Sequence, residues 1–139
     1  MAAIVSKQRG SVMLEGLIAI LVFSFGVLAL VALLGVSVKD SSNAKYRTDA
    51  SLLANQIIGR MWASNKSNVA LVAGFANPAG AEYLAWKTKV IDTLPGADIA
   101  ANLPTIAIDA DNQVTVTVRW QLPGASSAHN YVAVTRING

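Results

Sequence analysis

The sequence predicts an α+β protein: one long N-terminal helix, apolar in its first half and amphipathic in its second, laid on a small antiparallel β-sheet. Three observations carry this. Across residues 12–38 the only ionisable side chain is Glu15. From Tyr46 onward, Ala50, Leu53, Ala54, Ile57, Ile58, Met61 and Trp62 recur at the spacing of one helical face. Near the C-terminus, Val114, Val116, Val118, Trp120 and Leu122 alternate with Thr115, Thr117, Arg119 and Gln121, as in a strand with one buried face.

Composition sets the bounds. The chain has 139 residues, enough for one domain, and is 53% hydrophobic but only 14% charged. The apolar excess sits mostly in the first segment. The formal net charge is +3, and Lys7 and Arg9 contribute two of those charges within the first ten residues. The remaining cations are scattered and form no basic run, so no nucleic-acid partner is expected. There is no cysteine, which excludes disulfides and thiolate metal sites. The folded part must rely on its core alone.

The apolar segment comes first. As a helix, residues 12–38 extend about 40 Å at ~1.5 Å per residue, against a hydrocarbon core of ~30 Å. The segment is long enough to span a membrane with some tilt. Lys7 and Arg9 ahead of it favour a cytoplasmic N-terminus, although Lys39, Lys45 and Arg47 behind it make the bias mild. A cleaved secretory signal would place its small-residue site after a shorter apolar core. Here the small pair, Gly10-Ser11, precedes the run. A static single-pass anchor for a periplasmic binding module accounts for everything except Glu15. A carboxylate in hydrocarbon costs a few kcal/mol (roughly 2.5–3.5 at the centre) unless paired or shallow. Glu15 is shallow, one helical turn or ~6 Å beyond Ser11, and it invites a partner.

The stem follows. No proline interrupts residues 11–77, so a near-continuous helix is expected from about Ser11 to Ala63, on the order of 80 Å long. Residues 64–68, Ser-Asn-Lys-Ser-Asn, read as a loop. The triplet Asn65-Lys66-Ser67 matches the glycosylation pattern and is read as a chance match in a polar loop. Asn77-Pro78-Ala79-Gly80 is a turn. Tyr83, Trp86, Val90, Ile91 and Leu94 mark a short helix stopped by Pro95-Gly96. Residues 105–109 form a strand that pairs with the alternating one through the turn Ala110-Asp111-Asn112. A connection over residues 122–128 leads to a third strand over residues 130–137.

Chemistry-bearing clusters are few. His129, the single histidine, has no cysteine or acidic cluster to work with, and reads as a loop or strand-edge residue. Asp109, Asp111 and Asn112 resemble the opening of a calcium loop, but its glycine and closing glutamate are missing. They read as a turn supported by Asx side chains. Trp62, Trp86 and Trp120 each sit on the apolar face of their element and are expected in the core. No metal, no cofactor and no catalytic residue is expected: the chain reads as the substrate of an enzyme, not as an enzyme.

Lys7-Gln8-Arg9-Gly10 followed by Ser11-Val12-Met13-Leu14-Glu15 resembles the cleavage motif of type IV prepilins. The resemblance implies removal of the leader, residues 1–10, by prepilin peptidase, and N-methylation of Ser11. It makes Glu15 the family's acidic assembly position. The family usually has phenylalanine where Ser11 stands. Arg47, Ala50, Leu53-Ala54, Arg60-Met61 and Trp62-Ala63-Ser64-Asn65, with Val116-Thr117-Val118-Arg119-Trp120, look like the matching segments of minor pilins of the PilV type. The anchor glycines Gly16, Gly26 and Gly35 fit as well. Type II secretion pseudopilins share much of this pattern and remain an alternative.

The implied fold is the pilin fold, with a transmembrane and assembly segment over residues 11–39 and a periplasmic head over residues 40–139. The implied partners are prepilin peptidase, other minor pilins, the major pilin, and inner-membrane lipid before assembly. The implied location is the inner membrane, with a cytoplasmic N-terminus and a periplasmic head, and then the pilus.

Overall fold

Helix-forming residues without a proline dominate the first half of the chain, and the computed structural model, which describes residues 9–138, places them in one helix, α1 (Arg9–Ala63). Lys7 and Gln8 of the leader motif lie outside the described residues. Helix α2 (Asn68–Phe75), helix α3 (Ala81–Thr93), a 3₁₀ turn (Ala100–Asn102) and strands β1 (Thr105–Ile108), β2 (Gln113–Trp120) and β3 (His129–Arg136) follow. The strands form an antiparallel sheet in the order β1-β2-β3. The α+β fold expected from the sequence is therefore present: a long N-terminal helix, apolar in its first half, whose second half packs with a small three-stranded sheet.

The chain divides into two compact units, Met1–Ser42 and Asn43–Gly139. In the first, every residue from Gly10 to Ser41 is exposed. This stretch is long and apolar enough to cross a membrane. Its exposed apolar side chains make a surface of the kind that lipid or other helices cover.

The second unit holds the core. Ala50, Leu53, Ala54, Ile57 and Met61 form a buried stripe along α1. Leu71 and Phe75 from α2, and Tyr83, Trp86 and Val90 from α3, join them. The sheet contributes Ile106, Val114, Val116, Val118 and Trp120, and Ile137 closes the cluster. Register fixes which side of the sheet is which. Val114, Val116, Val118 and Trp120 face inward opposite Thr135, Ala133, Tyr131 and His129. Val132 and Val134 point to the other face and are exposed.

Four expectations need correction. Trp62 is not core: it is 42% exposed. At ~100° per residue it stands well round the helix from Met61, outside the stripe, and Lys66 Nζ lies 5.3 Å from its ring centroid. Residues 68–75 form a helix that the sequence reading did not assign. The loop before it ends at Ser67, whose side chain caps α2 by accepting from Ala70 N at 3.4 Å. Strand β2 ends at Trp120 rather than Leu122, because Gln121 N donates to Pro95 O at 2.8 Å and leaves the ladder. The third strand runs His129–Arg136, one residue earlier than expected at both ends.

Two glycines hold close backbone approaches. A Cβ on Gly80 would lie 2.5 Å from Gly74 O, where α2 turns into α3. Gly96, at φ +64°, would bring one to 2.8 Å from Gln121 O. Just before Gly80, Asn77 stands in for a strand residue: its N–H donates to Ile106 O at 3.3 Å, and its Oδ1 accepts from Ile106 N at 2.9 Å. The turn before β2 works as expected. Asp109 Oδ1 accepts from Asp111 N and Gln113 N, and Asn112 takes φ 58°.

Candidate functional site

The expected assembly residues lie on the first two turns of α1. Gly10 and Ser11 are in helical conformation in its first turn, which contains no acidic side chain. Glu15 follows Ser11 by four residues and so shares its face, with Ile18 and Val22 continuing that face. All of these are exposed. Among the described residues Glu15 has neither a hydrogen bond nor an ion pair. It therefore heads an apolar stripe as its one acid, with its needs unmet among the described residues. Gly16, Gly26 and Gly35 have open space around them. At ~100° per residue they point to different sides of α1 and make no single stripe.

A second arrangement, which sequence reasoning missed, lies in the folded unit. Asn43 and Arg47, one turn apart on α1, meet Trp120 at the end of β2 and His129 and Asn130 at the start of β3 around a cavity of about 360 Å³. Trp120 and His129 are cross-strand partners, and their rings stack with centroids 5.7 Å apart at 26°. Trp120 is 3% exposed, and its indole N–H has no acceptor. The Asn43 Oδ1 has no donor either, and among the described residues these two are the buried side-chain polar atoms left without a partner. Each such atom costs roughly 1–3 kcal/mol. Trp86 shows the ordinary solution: its Nε1 donates to Leu53 O at 2.8 Å.

No signal along the chain links these residues, because Asn43 and Trp120 are brought together only by the packing of α1 on the sheet. His129 does stand where expected, exposed at the start of an edge strand.

Another cavity, of about 380 Å³, lies between Arg60, Ala63, Ser64, Phe75 and Glu82. Its cation is already offset, since Arg60 Nη1 and Glu82 Oε2 are 3.0 Å apart. Among the described residues no group of three His, Cys, Asp or Glu side chains is arranged to hold a metal ion. Elsewhere, burial pushes the Tyr83 phenol up from its ordinary value, and its hydroxyl donates to Pro104 O at 2.9 Å.

No protein-family model, no curated protein and no solved structure matches the chain.

Proposed function

We propose that the chain is a minor pilin: a type IV pilus subunit, cut by prepilin peptidase between Gly10 and Ser11, that enters the filament through its N-terminal helix and helps to prime assembly. The observation that carries this reading is Glu15. It stands one turn past Ser11 on a helix segment that is apolar, exposed and wide open to neighbours on every side. A plain anchor has no use for that carboxylate.

The first turn of α1 supports processing. It lacks an acidic residue and includes Gly10, a weak helix former, so opening it to a peptidase costs little. Cleavage would leave a positive amine on Ser11. A cation is disfavoured at a helix N-terminus, so the amine gains from a carboxylate. Glu15 of a neighbouring subunit supplies one, and an unpaired Glu15 among apolar helices is costly. Pairing of this kind selects one stagger between subunits, and head-to-tail addition gives an open helical assembly. Before assembly the subunit resides in the inner membrane with its folded unit in the periplasm. In this reading the chain is a substrate and a structural part, not an enzyme.

Mass spectrometry of the N-terminus of the purified protein tests the reading. A chain beginning at N-methylated Ser11 is expected, and replacing Gly10 by a bulky residue should leave full-length precursor in the membrane. An uncut chain in cells that process other prepilins would sink the proposal. Deletion should abolish pili; loss of protein secretion with pili intact would point to a type II secretion pseudopilin instead.

A further inference from the structure

We infer that the outer edge of β3 takes up an extended acidic segment of a partner protein as a fourth strand of the sheet. The segment carries an aspartate or glutamate followed, two and four residues later, by valine or isoleucine. The inference stands apart from the assembly reading, since every residue it uses belongs to the folded unit.

The two edges of the sheet differ. On β1, Ile106 turns its backbone outward and Asn77 meets it through both its N–H and its Oδ1. That edge is closed. On β3 the alternation is set by Ile137, whose N–H donates to Asn112 O in continuation of the β2–β3 register. Backbone groups alternate sides along an antiparallel strand. Tyr131, Ala133 and Thr135 therefore bond to β2, while Val132 and Val134 turn both N–H and C=O outward. Among the described residues no backbone group meets them there. Edge strands are ordinarily blunted by lysine, proline, a bulge or shortness. Strand β3 runs for eight residues in unbroken register, without lysine or proline, and its one formal charge, Arg136, stands at its last position.

Side chains specify the occupant. Val132 and Val134 are 48% and 58% exposed, on the face of the sheet away from the core. Cations bracket them. Arg136 is exposed, opposite Gln113, and has no ion-pair partner among the described residues. Towards the other end stands Arg119, opposite Asn130, with one nitrogen donating to Leu103 O at 3.3 Å. The remaining strand residues of this face are Thr105, Ala107, Thr115 and Thr117, so it holds no carboxylate. An antiparallel partner sets its residues against Arg136, Val134 and Val132 in that order from its own N-terminus, two positions apart. An acid belongs opposite Arg136, and β-branched residues belong opposite the valines. Main-chain bonds then supply affinity and the alternate side chains supply selectivity. A second copy of β3 has no acid to offer.

Backbone amides provide the assay. The probe is the end-blocked peptide Thr-Glu-Thr-Val-Thr-Val-Thr, added to the ¹⁵N-labelled full chain in detergent micelles. Hydrogen exchange at Val132 and Val134 should be fast in the free chain and slow by about tenfold or more at saturating peptide. Exchange at Ala133 and Thr135, already bonded to β2, should not change. A peptide with lysine in place of glutamate should bind about two- to fivefold more weakly, the range of an exposed ion pair. Arg136→Glu should reverse that preference. Val134→Pro removes an N–H that β2 does not use, so the fold should stand and the peptide should no longer bind.

Three results would overturn the proposal. One is no slowing at Val132 and Val134 with millimolar peptide. Another is equal affinity of the glutamate and lysine peptides for the parent chain, which would remove the acidic class. The third is protection of these two amides in the free chain that grows with protein concentration, which would give the edge to a second copy.

Discussion

Trp86 Nε1 donates to the backbone carbonyl of Leu53 at 2.8 Å, which ties α3 to the middle of the α1 stem from inside the core. The indole is 3% exposed and lies against Tyr83, with ring centroids 6.4 Å apart. It therefore supplies both packing and a specific bond. Trp86→Phe keeps most of the packing and deletes the donor, for a cost of about 1–2 kcal/mol. Trp86→Ala also opens a cavity and should cost about 3–5 kcal/mol. Denaturant unfolding followed by circular dichroism would separate the two. Equal losses for Phe and Ala would show that the hydrogen bond, not the ring, holds α3 in place.

Gly80 and Gly59 predict opposite signs for the same substitution. A Cβ at Gly80 would press to 2.5 Å from Gly74 O and 2.7 Å from Gly74 C, both backbone atoms that cannot swing away. Gly80→Ala should destabilise the head by about 1–3 kcal/mol, as overpacking does. Gly59 sits in the exposed part of α1 with nothing near its missing Cβ. Gly59→Ala should stabilise by about 0.4–1 kcal/mol through helix propensity and a less free unfolded chain. Thermal melts of the two variants are expected to move apart, one below and one above the parent.

These pairs also show how far the sequence could be read. The stem, α3 and the β2 alternation were legible because each buries one face of a periodic element, and periodicity is a local property. Helix α2 was not, because Asn68–Phe75 is apolar nearly all round. Leu71 and Phe75 go inward while Val69 and Val72 stay exposed, and no pattern marks the difference; the one local clue was Ser67 at its cap. Trp62 misled because its place one residue after Met61 extends the stripe on paper while turning ~100° on the helix. The Asn43–Trp120 cavity was hidden for another reason: it needs contacts across most of the folded unit. Glu15, by contrast, was visible at once, as a single charge in an apolar run.

Tyr83 predicts an alkaline weakness. Burial raises its phenol above the ordinary value of 10.0, so the folded state favours the neutral form. That preference is fully present below the unfolded value. It is lost as pH climbs through the folded one, because the unfolded chain ionises first. Stability should therefore decline from about pH 10 upward. Tyr83→Phe removes this limb but forfeits the bond to Pro104 O, at about 1 kcal/mol near neutrality. The gap between parent and variant should narrow as pH rises past 10. A gap that stays constant to high pH would show that the phenol ionises equally in both states.

Glu15→Ala separates processing from assembly. The residue lies one turn beyond the Gly10–Ser11 bond, on the same face as Ser11, and its replacement leaves that bond and the first turn of α1 unaltered. Under the minor-pilin reading the variant should be cut normally and then fail to enter filaments. The reason is the stranded charge: without Glu15 the new amine of a neighbouring subunit has no partner, and breaking one side of a poorly solvated pair costs roughly 3–5 kcal/mol. Incorporation should fall at least tenfold, since ~1.4 kcal/mol already suffices for that factor. Glu15→Gln should behave like Ala rather than like the parent, because it keeps the shape and loses the charge. The measurement is the ratio of mature chain in sheared filaments to mature chain left in the membrane. Normal incorporation of both variants would remove the pairing role and leave Glu15 as an acid that the anchor merely tolerates near its shallow end.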